Sequence, residues 1–164
     1  MKSLRIAFSV VLALVATVAM AQSDAQKTFE KLKSLDGMWE GKDRQGKDVK
    51  VSYRTTSGGS ALMSEIMGEE DMISMFHMDG NRVLMTHYCG AGNQPRMKAS
   101  ASPDGKSVTF DFLDATNLAS ADAGHMHRMV VTMIDASHHT EQWTYVDHGK
   151  ELTETFDLQR KKGI

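Results

Sequence analysis

From Gly37 to the C-terminus the chain alternates apolar and polar residues with a period of two, and turn residues interrupt it at regular intervals. No other feature restricts the fold as much. Val49, Val51, Tyr53 and Thr55 alternate with Lys50, Ser52 and Arg54, and Leu152, Glu154, Phe156, Leu158 and Arg160 alternate with Thr153, Thr155, Asp157 and Gln159. Successive strand side chains point to opposite faces, so both segments predict a strand with one wet and one buried face. Similar short runs cover 38–42, 60–68, 71–78, 82–89, 96–101, 107–113, 125–135 and 140–146. Gly58-Gly59, Asp79-Gly80-Asn81, Pro103-Asp104-Gly105 and Asp147-His148-Gly149 lie between runs and supply the positive or preset φ that hairpins need. About ten strands at roughly 8–12-residue spacing leave almost no room for crossover helices. The expected fold is all-β, a single antiparallel up-and-down barrel of about ten strands, closed because closure removes exposed edges. Ahead of it, Phe29, Leu32 and Leu35 recur at spacings of three and predict a short amphipathic helix over 25–35.

The first 21 residues obey a different pattern. Lys2 and Arg5 precede an apolar run from Ile6 to Val18, and the small-residue triplet Ala19-Met20-Ala21 follows, so 1–21 is expected to be a signal peptide cleaved before Gln22. The apolar run is shorter than the roughly 20 residues a spanning helix needs. No cysteine follows the cleavage point, which excludes a lipid anchor there. The mature chain, 22–164, is then long enough for one domain with its own core, periplasmic or secreted, with no stable membrane insertion after cleavage. Removing Lys2 and Arg5 from the 19 basic residues leaves 17 against 21 acidic ones, a net charge of −4 that does not steer the protein to nucleic acid. Cys89 is the only cysteine, so no internal disulfide can form and stability has to come from packing.

The segment Gly37-Met38-Trp39-Glu40-Gly41, preceded by a short helix and answered by Arg160 on the last strand, resembles the calycin barrels: lipocalins, fatty-acid-binding proteins and nitrobindin-like domains. That resemblance implies a Trp at the closed end with an Arg from the final strand packed across it. The physical reading agrees, because an inward guanidinium needs a partner and an indole face supplies one. Trp39 and Arg160 are therefore assigned to fold closure. The pattern around 86–89 and 125–128 is also similar to uncharacterised exported bacterial proteins, a likeness that implies no activity.

Parity along the strands selects the candidate site. Val83, Met85, His87 and Cys89 form the more apolar set of their strand, as do His125, His127, Met129, Val131 and Met133 of theirs. With Tyr53, Glu154 and Glu65 these histidines define a polar patch on an apolar inner wall. Three readings of the patch are open: buried polar groups bonded to one another or to water; a small apolar or amphiphilic ligand held by Tyr53, His87, His125, His127 and Glu154; or a metal or haem. For the metal, His125, Met126, His127 and Cys89 offer imidazole and sulfur ligands, but two histidines on one face are weak evidence, and the scattered methionines suit core filling. Haem enters only through the nitrobindin-like resemblance, which implies a ligating histidine near the C-terminus; 151–161 contains none. No cofactor is identified. An enzyme would have to use His87 with Cys89, or Glu154 with a histidine. His138 and His139, placed in a turn, are expected to be solvated.

Overall fold

The computed structural model describes residues 22–68 and 71–161; the expected signal peptide lies outside them. The chain runs through α1 (Asp24–Lys33), β1 (Gly37–Lys42), β2 (Asp48–Thr56), β3 (Ala61–Met67), β4 (Met72–Asp79), β5 (Arg82–Tyr88), β6 (Gln94–Ala101), β7 (Ser107–Thr116), β8 (His125–Asp135), β9 (His138–Asp147) and β10 (Lys150–Arg160). Each strand pairs antiparallel with its sequence neighbours, and β1 pairs with β10, so the ten strands close into an up-and-down barrel. The period-two pattern and its turns therefore encode the fold as expected. One short 3₁₀ turn, Ser57–Gly59, links β2 to β3.

Closure brings β1 and β10 unusually near each other at one point. A Cβ on Gly41 would lie 1.7 Å from the Asp157 carbonyl oxygen, so only glycine fits there. Interior positions follow alternation: Val51 and Tyr53 on β2, Leu62 and Ser64 on β3, Ser74 and Phe76 on β4, Met85 and His87 on β5, Val108 and Phe110 on β7. The core also holds Met97, Met129, Trp143 and Leu158.

Helix α1 closes one end. Ser23 caps it through its side chain, which accepts the Gln26 N–H, and Phe29 and Leu32 face the core with Leu35 just beyond. Lys31 Nζ reaches the Gly105 carbonyl in the β6–β7 turn, fixing the helix across the barrel mouth. The opposite end carries the longer loop between β7 and β8.

Candidate functional site

At the helix end, β1 and β10 set Trp39 opposite Arg160. The guanidinium carbon lies 4.3 Å from the indole centroid. Its nitrogens donate to three carbonyls: Nη1 to Asp36 at 2.6 Å, Nη2 to Ser34 at 2.6 Å and Nε to Ala136 at 3.1 Å. Trp39 Nε1 donates to the Leu35 carbonyl at 2.7 Å. These two residues thus tie the α1–β1 connection and the β8–β9 turn to the last strand, and their donors are spent on the scaffold.

Midway down the barrel the chemistry changes. Tyr53 stands opposite Ser64, Ser64 opposite Ser74, and Ser74 opposite His87, so four consecutive strands contribute one polar residue each to a single inner row. All four are buried. From across the barrel, β9 projects His139, Glu141 and Trp143 inward. Glu141 accepts from the Tyr53 hydroxyl at 2.7 Å and from Trp143 Nε1 at 3.0 Å, and its Oε1 lies 3.1 Å from His139 Nε2. Burial, with the Glu141 carboxylate beside it, pushes the Tyr53 hydroxyl well above its ordinary range, so it stays a donor. His87 Nδ1 is 2.9 Å from Ser74 Oγ, and its ring packs 4.9 Å from the Trp143 ring. Burial pushes His87 down to about 4, so its imidazole is neutral at physiological pH.

Part of this layer lacks partners. His87 Nε2 and His139 Nδ1 are buried and make no hydrogen bond within the protein, while the Ser64 hydroxyl lies beside that of Tyr53. A buried polar atom without a partner costs free energy comparable to a lost hydrogen bond. A neutral imidazole backed by a rotating serine hydroxyl can present Nε2 as either donor or acceptor. The arrangement can therefore receive one small polar group of either sense.

His125 and His127 occupy a different place from the one alternation assigns. The β8–β9 register slips between Met126 and Arg128, a β-bulge that shifts the parity of every residue before it. Met126 stands opposite Tyr145 and packs on the core, while His127 is exposed. His125 is buried near the rim, its Nδ1 2.8 Å from the Ala123 carbonyl and its Nε2 3.3 Å from His127 Nδ1. Both rings lie against Phe112, at 4.5 and 5.3 Å. Glu154 also leaves the expected patch. Its Oε1 accepts the backbone N–H of Arg44 at 2.9 Å and of Thr155 at 3.0 Å, so it anchors the β1–β2 turn. Glu65 falls on the partly exposed positions of β3, alternating with inward Ser64 and Ile66. Of the five expected ligand contacts, Tyr53 and His87 belong to the inner layer, and His125, His127 and Glu154 do not.

His139 corrects the opposite way: expected in a solvated turn, it is fully buried inside β9. The signal was in the sequence, because His139 and Glu141 share parity with Trp143. Among the described residues no three His, Cys, Asp or Glu side chains form a group that could hold a metal ion.

A cleft of about 680 Å³ lies beside α1. The β5–β6 ladder holds only Leu84–Lys98, Met85–Met97 and Thr86–Arg96, and nearer the helix the two strands part. Val83, Ala99 and Val108 line the cleft, with Lys27, Lys31, Arg82 and Lys98 among its charged residues. Its volume is that of a small-molecule site, but its lining is remote in kind from the polar layer. Nothing in the alternation pattern marks it, since it arises where pairing stops.

No protein-family model and no curated protein matches the chain. Solved structures share its architecture. One is a protein of unknown function from the DUF3598 family of Nostoc punctiforme, with a TM-score of 0.53 and 13% identity, covering 80% of this chain and 49% of that one. Another is Rv2717c from M. tuberculosis, with a TM-score of 0.56 and 12% identity, covering 85% of this chain and 100% of that one. The chain thus spans about half the length of the first and the full length of the second. At these identities the likeness is one of fold alone.

Proposed function

We propose that this is an exported, calycin-like barrel that binds a small apolar or amphiphilic ligand in its interior. One observation carries the reading: the inner row across β2–β5 leaves His87 Nε2 buried and unpartnered beside the apolar core. A ligand's polar end would satisfy it, and its apolar body would lie among Met85, Met97 and Met129. Thioether side chains are unbranched and flexible, so a wall built from them repacks around a guest. The cleft beside α1 reaches the inward side chains of Val83 and Val108 at the helix end. Export rests on the charged, apolar and small-residue order of 1–21.

A native mass spectrum of the protein taken from the periplasm of its own cell tests both parts. The expected result is a chain beginning at Gln22 that carries the added mass of a small molecule, with His87→Leu losing that mass and His127→Ala keeping it. A chain that still begins at Met1 would sink the export reading. A bare wild-type mass, together with no binding of a neutral fluorescent probe such as N-phenylnaphthylamine, would sink the ligand reading and leave water as the partner of the inner row.

A further inference from the structure

The charges inside the barrel, and those missing from it, restrict what the ligand's polar end can be. Glu141 is the only acidic side chain buried among the described residues, and no Lys or Arg there is buried. The inward cation of β10, Arg160, is held at the helix end by three carbonyls and the Trp39 ring. His139, the imidazole beside Glu141, already spends its Nε2 on that carboxylate. The Trp143 indole joins the two halves of the layer, donating to Glu141 from Nε1 while its ring lies against His87.

An anionic head at His87 would therefore be buried near a carboxylate, with no cation free to meet it. Burying an unpaired ion costs several times what a hydrogen bond returns. A cationic head fares little better. Glu141 is the only counter-charge, and its two oxygens already face Tyr53, His139 and Trp143. Reaching it would require displacing donors that would themselves be left buried and unpaired. What the layer does offer is the neutral imidazole nitrogen of His87, able to donate or accept.

We propose that the interior selects an uncharged amphiphile, with an alcohol, ketone or amide head on an apolar body, and rejects the corresponding carboxylic acids and amines. This rests on the interior-binding reading given above and narrows it to a ligand class. The cationic side chains of the α1 cleft do not oppose it, because they lie on the outer approach and not in the layer that receives the head.

Four ligands with one chain length separate the cases: decanol, decanone, decanoate and decylamine, each competing with N-phenylnaphthylamine for the purified protein. At about pH 7.5, where an aliphatic acid and amine are both charged, decanol and decanone should displace the probe, and decanoate and decylamine should bind at least about 100-fold more weakly. Decanoate should recover as the pH falls to about 5 and part of it takes up a proton. His87→Leu should weaken decanol by about tenfold or more, since it removes the head's partner while keeping an apolar wall. If decanoate matches decanol at neutral pH and both depend on His87, the neutral-ligand inference is overturned while interior binding stands. If no ligand displaces the probe, or decanol is indifferent to His87→Leu, interior binding itself fails and the inference goes with it.

Discussion

The helix end and the middle of the barrel both turn polar groups inward, but they treat them in opposite ways. At the helix end the Arg160 nitrogens each reach a carbonyl and Trp39 Nε1 reaches Leu35. In the middle layer His87 Nε2 and His139 Nδ1 reach nothing in the protein. A satisfied buried group stabilises one arrangement of the chain, whereas an unsatisfied one costs stability that selection for folding alone would remove. The contrast divides the inward polar residues into those bonded within the chain and those left without a partner in it.

The largest effect should come from the closed end. Trp39→Ala should cost about 3–5 kcal/mol, the range for a large buried aromatic, read from denaturant midpoints. Arg160→Ala should destabilise as well, and the double variant should lose less than the sum, because the two side chains touch at 4.3 Å. Strict additivity would mean that this contact contributes nothing and that the closed end is no more specialised than the rest of the wall.

A somewhat smaller effect should come from the middle layer, and it depends on pH. Burial lowers His87 from 6.5 to about 4, so the unfolded chain takes up a proton at a pH where the folded chain does not. Its contribution to stability is complete above about pH 6.5 and is lost as the pH falls toward 4, roughly 3 kcal/mol in all. Urea midpoints measured across that window should decline in the wild type, and His87→Leu should remove most of the decline between 6.5 and 4. An unchanged slope in the variant would place His87 in contact with solvent and dissolve the distinction between layer and surface.

The smallest effect sharpens the boundary of the layer. His127→Ala, at an exposed rim position, should change stability by less than about 0.5 kcal/mol in the same assay and leave probe binding intact. A loss comparable to that of His87 would extend the site to the rim.

The sequence carries the fold almost completely because alternation, turn residues and closure all follow from a two-residue repeat. Tyr53 and His87 were legible on the same ground, as polar residues in otherwise apolar inward sets. His127 was not, since a bulge at 126–128 inserts one residue and reverses the parity on which its placement depended. Glu154 failed for another reason. Glu154 pairs with Trp143 on β9, but β1 reaches only as far as Asp157 on the other side of β10, so the Glu154 side chain is free to turn to the β1–β2 turn and parity there no longer implies burial. His139 and Glu141 go against residue type, because charged side chains are rarely buried outright. Their partners Tyr53 and Trp143 come from a distant strand and the same strand respectively, and no local pattern announces a carboxylate that three side chains will surround.

The brevity of the β5–β6 ladder has a consequence for how the molecule moves. In a closed ring every strand is held on both sides, so ordinary fraying from an edge has nowhere to begin. Three residue pairs make this seam the shortest of the described ladders, one pair fewer than the β1–β10 seam. Parting it turns the ring into a ribbon whose new margins are β5 and β6, while the Trp39–Arg160 junction on the far side stays shut. Excursions of this kind have free energies below that of global unfolding. A seam that parted there would open on the strand that carries His87.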